Sequence, residues 1–209
     1  STIMAYGGTC GVDNIVTVPT APPPPPIPPE RNGASVPMYN LSSMIQIANF
    51  VTGVGCVAKI PSGNYHTGAT PTSQGPYYIP TETPFRLNSP SAEFGGPNDS
   101  LTYSIEQYDL GPQLPVGPDT GQHEPLFRVL APSPASERKF PRFEYVLSGA
   151  PSLGENLPRY SRTSGFRGVL RDNVAGAGGW GWGDINVQFV QVPSPGFKVT
   201  GPFGNGAYC

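Results

Sequence analysis

The stretch that decides the fold is residues 166–190, FRGVLRDNVAGAGGWGWGDINVQFV. Both of its ends alternate apolar residues with polar or small ones, the period of two that is typical of half-buried β-strands. Its middle is rich in glycine, which indicates a turn between strands. The sequence therefore predicts two strands joined by a glycine-rich loop that carries Trp180 and Trp182.

The same alternation recurs upstream, from about Gly75 onward. Further short runs with a period of two begin at Phe85, Leu101, Leu126 and Phe143. Short strands in this number, separated by Gly and Pro turns, are typical of a β-sandwich. We therefore expect a mainly β protein in which residues 75–193 form an antiparallel β-sandwich.

The composition agrees with a folded β protein that has long loops. The 209 residues include 27 Gly and 28 Pro, but also 10 Phe, 10 Tyr and 2 Trp, too many aromatic side chains for a disordered linker. Only 12% of the residues are charged, about half of the usual fraction in soluble domains. These figures argue against a helical bundle, a coiled coil and a collagen. The formal net charge of −2 gives no basic surface, so nucleic acid is not an expected partner.

The first part of the chain has a different pattern. Residues 19–29 are dominated by proline, which predicts an extended polyproline II rod. Residues 41–51 place apolar side chains at helical spacing, Asn40 or Ser42 can cap this helix, and Gly53 can end it. A helix of about 12 residues is too short to be stable alone in water, so we expect it to dock on another part of the protein.

The three cysteines, Cys10, Cys56 and Cys209, form an odd set. In an oxidising compartment the natural pairing is a Cys10–Cys56 disulfide across the proline-rich segment, and three unpaired thiols are the alternative. Cys209 would then pair with another chain or with sequence beyond the last residue. No uninterrupted apolar run approaches the roughly 18 residues of a membrane helix, so no membrane span is expected.

Two groups of motifs resemble a known family. Ser1-Thr2-Ile3-Met4-Ala5-Tyr6, with Gly-Thr-Cys-Gly at 8–11, is similar to the Met-turn segment of reprolysin-like zinc metalloproteases of the metzincin clan. Met4 would then be the Met-turn methionine. The helix after Asn40 stands where that family carries its C-terminal catalytic-domain helix, and Cys56 stands where the family has a cysteine.

The second group resembles the Ig-like domain that follows the catalytic domain in bacterial enzymes of this family. Its motifs lie at 78–85, 101–107, 125–128 and 166–173. The resemblance implies a remnant of the catalytic domain's C-terminal subdomain at 1–60, a linker at 61–74, the Ig-like sandwich at 75–193, and a linker or the start of a further domain at 194–209.

The zinc-binding motif of the family is missing from this chain. Metzincin chemistry needs H-E-x-x-H-x-x-G-x-x-H, in which three imidazoles hold zinc and the glutamate activates the metal-bound water. The two histidines, His66 and His123, lie far apart in sequence and in no such motif. We therefore predict no catalytic, cofactor-binding or metal-ligating residue in this chain, and zinc only if a catalytic segment lies upstream.

A few other residues are candidates for modification or contact. Asn40-Leu41-Ser42 and Asn98-Asp99-Ser100 are N-glycosylation sequons, although Asn40 is also a candidate helix cap. Trp180 and Trp182 are candidate contacts for a glycan or a neighbouring subunit. The alternative is that they fold back over the end of the sandwich.

Together these features favour a non-catalytic, extracellular structural protein, of the fibre, sheath or surface-layer type, derived from a secreted-metalloprotease architecture. Its expected partners are copies of itself or other extracellular proteins and glycans. The first alternative is the C-terminal portion of an active reprolysin-like zinc metalloprotease whose catalytic helix lies upstream. The second is a carbohydrate-binding module that uses the two tryptophans.

Overall fold

The structure of the chain is a computed structural model. It describes residues 38–53, 73–89, 100–112, 114, 117–149, 154–176 and 178–193. Strands predominate over helices in these ranges, so the prediction of a mainly β protein is confirmed. The elements in chain order are α1 (Leu41–Gly53), β1 (Ser73–Pro80), β2 (Phe85–Asn88), β3 (Thr102–Gln107), β4 (Glu137–Phe140), α2 (Phe143–Ser148), β5 (Arg162–Arg171) and β6 (Trp180–Val190).

The strands form two sheets. The larger sheet has the order β1-β6-β5-β3, and the smaller one pairs β2 with β4. Three of these pairings are antiparallel, but β1 runs parallel to β6, with Ser73 beside Asp184 and Pro80 beside Val190. The expectation of an antiparallel fold is therefore wrong at this edge. Parallel neighbours need a long connection, and the chain between β1 and β6, which contains all the other strands, provides it.

The two sheets share one apolar core. Phe85 and Phe140 of the smaller sheet stack with their ring centroids 4.9 Å apart, and Phe85 meets the ring of Phe189 on β6 at 5.3 Å. Every second residue of β6 is buried, as the period of two predicts. The buried core consists of Leu87, Ile105, Leu126, Phe127, Phe140, Phe166, Ile185, Val187 and Phe189.

One segment predicted as a strand is a helix. Residues Phe143–Ser148 form α2, which is followed by Gly149 in the left-handed conformation (φ 64°). Phe143 and Leu147 fit the period of two of a strand, but Phe143, Val146 and Leu147 also fit the i, i+3, i+4 spacing of a helix, so the pattern does not distinguish the two. A run of six residues is too short for periodicity to separate the two structures.

The run that begins at Leu126 is not a regular strand either. A single bridge joins Phe127 to Glu155. The side-chain oxygen of Gln107 accepts hydrogen bonds from the N–H groups of Leu126 and Phe127, at 2.7 and 2.9 Å. A side chain therefore replaces a neighbouring strand as the partner of this backbone.

A buried ion pair joins the smaller sheet to the rest of the fold. Arg138 of β4 lies 2.9 Å from Glu155, and the side chain of Glu155 is completely buried. Arg138 also donates hydrogen bonds to the backbone carbonyls of Ile105 and Arg128, at 2.6 and 2.7 Å. Burial lowers the pKa of Arg138 to about 10, although the charge of Glu155 opposes the shift. The guanidinium therefore remains charged at neutral pH and ties β4 to β3.

Buried carboxylates hold the loops. Asp119 accepts hydrogen bonds from the backbone N–H groups of Gly121, Arg159 and Tyr160, and its other partner is Arg162 at 3.5 Å. These contacts bring two separate loops together around a single acidic side chain. Because backbone donors that no strand can pair are costly to bury, a charged acceptor among them stabilises the loops.

Two further carboxylates act in the same way. Glu124 accepts hydrogen bonds from the N–H groups of Thr120 and Gln122. Burial on its own would raise the pKa of Glu124, but the hydrogen bond from Thr120 and the charge of Arg162 outweigh it and lower the pKa. Asp172 accepts hydrogen bonds from the loop between β5 and β6.

The backbone of β1 requires glycine at position 75. The φ angle of Gly75 is +97°, and a Cβ there would overlap the carbonyl oxygen of Asn186. We expect Gly75→Ala to lower the free energy of unfolding by about 2 kcal/mol or more, because it adds a clash to the strain of a positive φ. Gly149→Ala is the matched control, since Gly149 has φ +64° and open space around it. Chemical denaturation measures the loss of unfolding free energy in each variant. Equal losses in the two variants would contradict the requirement for glycine at position 75.

The buried ion pair has an exposed counterpart in the same small sheet. We expect Arg138→Met to lower the free energy of unfolding by about 3–5 kcal/mol, because it leaves Glu155 buried without a counter-charge. Arg86→Met removes the solvent-exposed Arg86–Glu137 pair and should cost less than about 1 kcal/mol. Urea titrations of both variants test the difference, and a small loss in Arg138→Met would argue against a structural role for the pair.

Candidate functional site

The larger sheet has a second face, directed away from the shared core. The side chains alternate along each strand, so one set of β6 residues lies on this face and the other set enters the core. We call this surface the outer face. Its β6 residues are Trp180, Trp182, Asp184, Asn186 and Gln188, and their register partners on β5 are Arg171, Val169, Arg167, Gly165 and Thr163.

Trp180 and Trp182 form a stacked pair at one end of the outer face. Their ring centroids are 5.4 Å apart and the ring planes meet at 26°. Both rings are half-buried, and Val169, the register partner of Trp182, is completely buried. The pair therefore lies over the sheet and leaves part of each indole exposed.

The structure corrects the predicted position of the two tryptophans. They belong to β6 itself and not to the loop that precedes it. Gly181 and Gly183, which suggested a loop, occupy the buried positions of the strand. A strict alternation of glycine with larger residues is the signal that could have placed this segment in a strand.

A compensated pair of charges lies at the centre of the outer face. Arg167 donates a hydrogen bond to Asp184 at 2.6 Å, and its guanidinium lies 3.5 Å from the centroid of the Tyr108 ring. Beyond this pair, Asn186 donates to the hydroxyl of Ser73 at 3.1 Å. This part of the face therefore presents aromatic rings and neutral polar groups next to charges that cancel.

Helix α1 begins and ends where the sequence predicts. It runs from Leu41 to Gly53, and the side-chain oxygen of Asn40 accepts a hydrogen bond from the N–H of Ser43 at 2.9 Å. Of the two candidate caps, Asn40 therefore caps the helix and Ser42 lies inside it. The use of Asn40 as a glycosylation site remains a prediction.

The first turn of α1 docks on the outer face, beside the tryptophan pair. The N–H of Leu41 donates to Glu106 at 3.1 Å, and Arg171 donates to the carbonyl of Tyr39 at 3.1 Å. Leu41 is completely buried, whereas Phe50 near the other end of the helix is 70% exposed. The expected docking of α1 is confirmed for its first turn. We call Glu106 and Arg171 the α1 clamp.

The α1 clamp buries an opposite pair of charges. Burial raises the pKa of Glu106, although the N–H of Leu41 and the charge of Arg171 act against the shift. Burial also lowers the pKa of Arg171, which lies 4.0 Å from Glu106. The positive end of the helix dipole faces the carboxylate and adds to its stabilisation.

The structure also contains two open clefts. One, of about 480 Å³, lies between β3 and β4 and is bordered by Tyr103, Glu137 and Lys139. The other, of about 270 Å³, is bordered by Glu82, Tyr145 and Arg159. Within the described ranges, no three His, Cys, Asp or Glu side chains are placed so that they could hold a metal ion. His123 lies exposed on a loop.

Several predicted features lie outside the described residues and stay predictions. They are the Met-turn methionine, the three cysteines, the second sequon, the proline rod and the other histidine, namely Met4, Cys10, Cys56, Cys209, Asn98, residues 19–29 and His66. In the part of the chain that the structure describes, no helix is long and apolar enough to cross a membrane.

Comparisons with known proteins give no match: no family model, no curated protein and no solved structure matches the chain. The resemblance to reprolysin-like metalloproteases therefore rests on the sequence motifs alone.

The raised pKa of Glu106 predicts a specific pH dependence. Its contribution to the free energy of unfolding is fully present below its unfolded value of about 4.5 and is lost as the pH rises through the folded pKa. Glu106→Gln removes this titration but keeps an oxygen that can accept the N–H of Leu41. We therefore expect the variant to gain stability relative to the natural protein as the pH rises from 4.5 to 7.

Denaturant unfolding at a series of pH values measures this difference. Glu137→Gln, at an exposed position of β4, is the control and should show no such gain. A stability difference between Glu106→Gln and the natural protein that is constant or falls over this pH range would contradict the prediction.

Proposed function

We propose that the chain is a non-catalytic structural protein of the extracellular space, built on a secreted-metalloprotease architecture, whose function is assembly with copies of itself or with other extracellular proteins. The observation that carries the proposal is the use made of the acidic groups. Five carboxylates are buried among the described residues, and each accepts a hydrogen bond from a backbone N–H. They are Glu106, Asp119, Glu124, Glu155 and Asp172.

A carboxylate held in this way contributes to the fold, which supports a structural role for these groups. Some of its lone pairs are occupied by donors of the chain, which leaves it less capacity to take a proton from a substrate or to bind a metal. The buried arginines have the same role, because Arg138 and Arg162 donate to backbone carbonyls. Because these charged groups stabilise the fold, they support the proposal that the protein acts through its shape and surface.

The surface supports assembly. Phe50 on α1 and Leu147 on α2 are 70% and 72% exposed, and Leu110 on a loop is 95% exposed. On α1, Phe50 belongs to a cluster with the exposed Ile47 and Val51, at the i, i+3 and i+4 positions of one helix face. Contiguous exposed apolar side chains are typical of surfaces that contact other proteins. A net charge of only −2 lets copies approach without strong repulsion. The shared core between two sheets supports the finer proposal of an Ig-like sandwich, and a Cys10–Cys56 disulfide would suit an extracellular location.

Light scattering and electron microscopy of the native protein test the proposal. We expect oligomers or fibres, and we expect Phe50→Ser/Leu147→Ser to shift the distribution towards monomers, because these side chains are exposed apolar contacts. Arg86→Ser, at an exposed polar position, is the control and should leave assembly unchanged. Native material that is monomeric at all concentrations would contradict the proposal.

The α1 clamp favours a second candidate function, the C-terminal portion of an active zinc metalloprotease. By resemblance, α1 is the last helix of the catalytic domain, and Glu106 and Arg171 fasten it to the β part of the chain. Such an attachment is what an accessory domain of a working enzyme needs. The upstream sequence of the natural protein and a proteolysis assay decide between the two. An upstream H-E-x-x-H motif with proteolysis that a chelator abolishes and zinc restores would establish the second candidate and overturn the first.

A further inference from the structure

The outer face offers a ligand surface that an assembly role does not require. Its open part follows β6 from Trp182 to Gln188, a distance of roughly 20 Å at the usual rise of a strand. The β1 strand extends the face sideways, with Tyr78 in register beside Gln188. The α1 helix is held on the β3 side of the face, at Glu106 and Arg171, which are at least two strands away from β1.

Aromatic rings stand at intervals along this strip. The stacked indoles of Trp180 and Trp182 lie at one end, and Tyr78, 67% exposed, lies at the other. Tyr108, 43% exposed, lies between them in contact with Arg167. Flat aromatic rings pack well against the C–H faces of pyranose sugars, because both surfaces are apolar and the ring carries a negative face.

Neutral polar groups fill the spaces between the rings. Asn186 and Thr163 are exposed and Gln188 is half-buried, all on the outer face. Amide side chains offer both donors and acceptors, which is the combination that sugar hydroxyls need. Gly165, the register partner of Asn186, adds no side chain to the face, and the Asp109 carboxylate lies 3.6 Å from the place that a Cβ would take there.

The charges of the outer face decide the chemistry of the ligand. Arg167 is paired with Asp184 at 2.6 Å, and Arg171 with Glu106 at 4.0 Å. The formal charge of these four groups is zero, so the face attracts neither a polyanion nor a polycation. We propose that the outer face binds an uncharged polysaccharide chain, with the tryptophan pair and the two tyrosines as stacking platforms.

A second protein chain fits this surface less well. The centre of a protein interface is usually depleted in charged groups and enriched in apolar ones. The strip has a charge pair and amides at its centre, and the large exposed apolar side chains lie on α1, α2 and a loop, at Phe50, Leu147 and Leu110. An uncharged polysaccharide matches the mixture of rings and amides along the whole strip.

Binding of the full chain to polysaccharides tests the proposal. Insoluble cellulose, chitin and xylan serve as neutral probes, and heparin serves as a polyanionic probe. We expect retention on at least one neutral probe, insensitivity of that binding to salt, and no retention on heparin. Trp180→Ala/Trp182→Ala should weaken binding to the retained probe by roughly tenfold or more.

A second variant protects the test against misfolding of the tryptophan variant. Tyr78→Ala/Gln188→Ala changes side chains at the opposite end of the strip and should also weaken binding. Phe143→Ala is the matched control, because Phe143 is 48% exposed on α2, away from the outer face, and should bind like the natural protein.

Three results of the binding assays would each overturn the proposal: no retention on any neutral probe, retention on heparin that salt abolishes, or unchanged binding in the Tyr78→Ala/Gln188→Ala variant. Loss of self-association in the tryptophan variant without any glycan binding would assign the face to a second copy and would also overturn it. Failure of the glycan test would not affect the proposal of assembly, because the assembly measurement changes side chains on α1 and α2 and not on the outer face.

Discussion

The fold depends on hydrogen bonds from backbone N–H groups to buried carboxylates. A chain with 27 Gly and 28 Pro has long connections whose backbone donors cannot be paired in a sheet. Leaving such donors unpaired in the interior costs free energy, and a carboxylate is a stronger acceptor than a neutral oxygen. Asp119 satisfies three of these donors, and Asp172 holds the loop between β5 and β6. Strands supply the core, and acidic side chains fix the connections.

The same constraint explains the character of the surface. Only 14 residues are Asp or Glu, and five carboxylates are buried in the part of the chain that the structure describes. Arg138 and Arg171 are drawn into the fold with them. With many of its charges used internally, the protein presents apolar and neutral polar surfaces. Such surfaces suit assembly with other chains on α1 and α2, and an uncharged ligand on the outer face.

Local signals in the sequence predicted the elements whose structure is decided locally. The Asn40 cap and Gly53 gave the bounds of α1, and the strict alternation of Ile185, Val187 and Phe189 identified β6 and its buried side. The edge strand β1 contains Pro76 and Pro80, and β4 is mostly charged, so neither has an apolar alternation to detect. Their strand structure comes from neighbours that are distant in sequence.

Of the residues of the candidate site, the sequence alone indicates only the two tryptophans. The sequence indicates Trp180 and Trp182 as candidate contacts, but the flanking glycines hide their place in a strand. The α1 clamp was not predictable, because Glu106 and Leu41 are separated by 65 positions and no local pattern connects them. Likewise, the pairing of Arg167 with Asp184 requires the register of β5 on β6, which only the folded sheet defines. Local sequence patterns therefore do not predict the register between distant strands or the partners of buried charges.

Amide hydrogen exchange of the full chain tests the central role of the buried carboxylates most directly. The relevant amides lie outside regular strand pairing and donate to carboxylates, namely those of Leu41, Gly121, Arg142, Arg159 and Gly179. We predict that they exchange as slowly as amides in the middle of β5 and β6, because opening them requires breaking a charge-assisted hydrogen bond to a buried carboxylate. Exchange at the rate of unprotected loop amides would contradict the account.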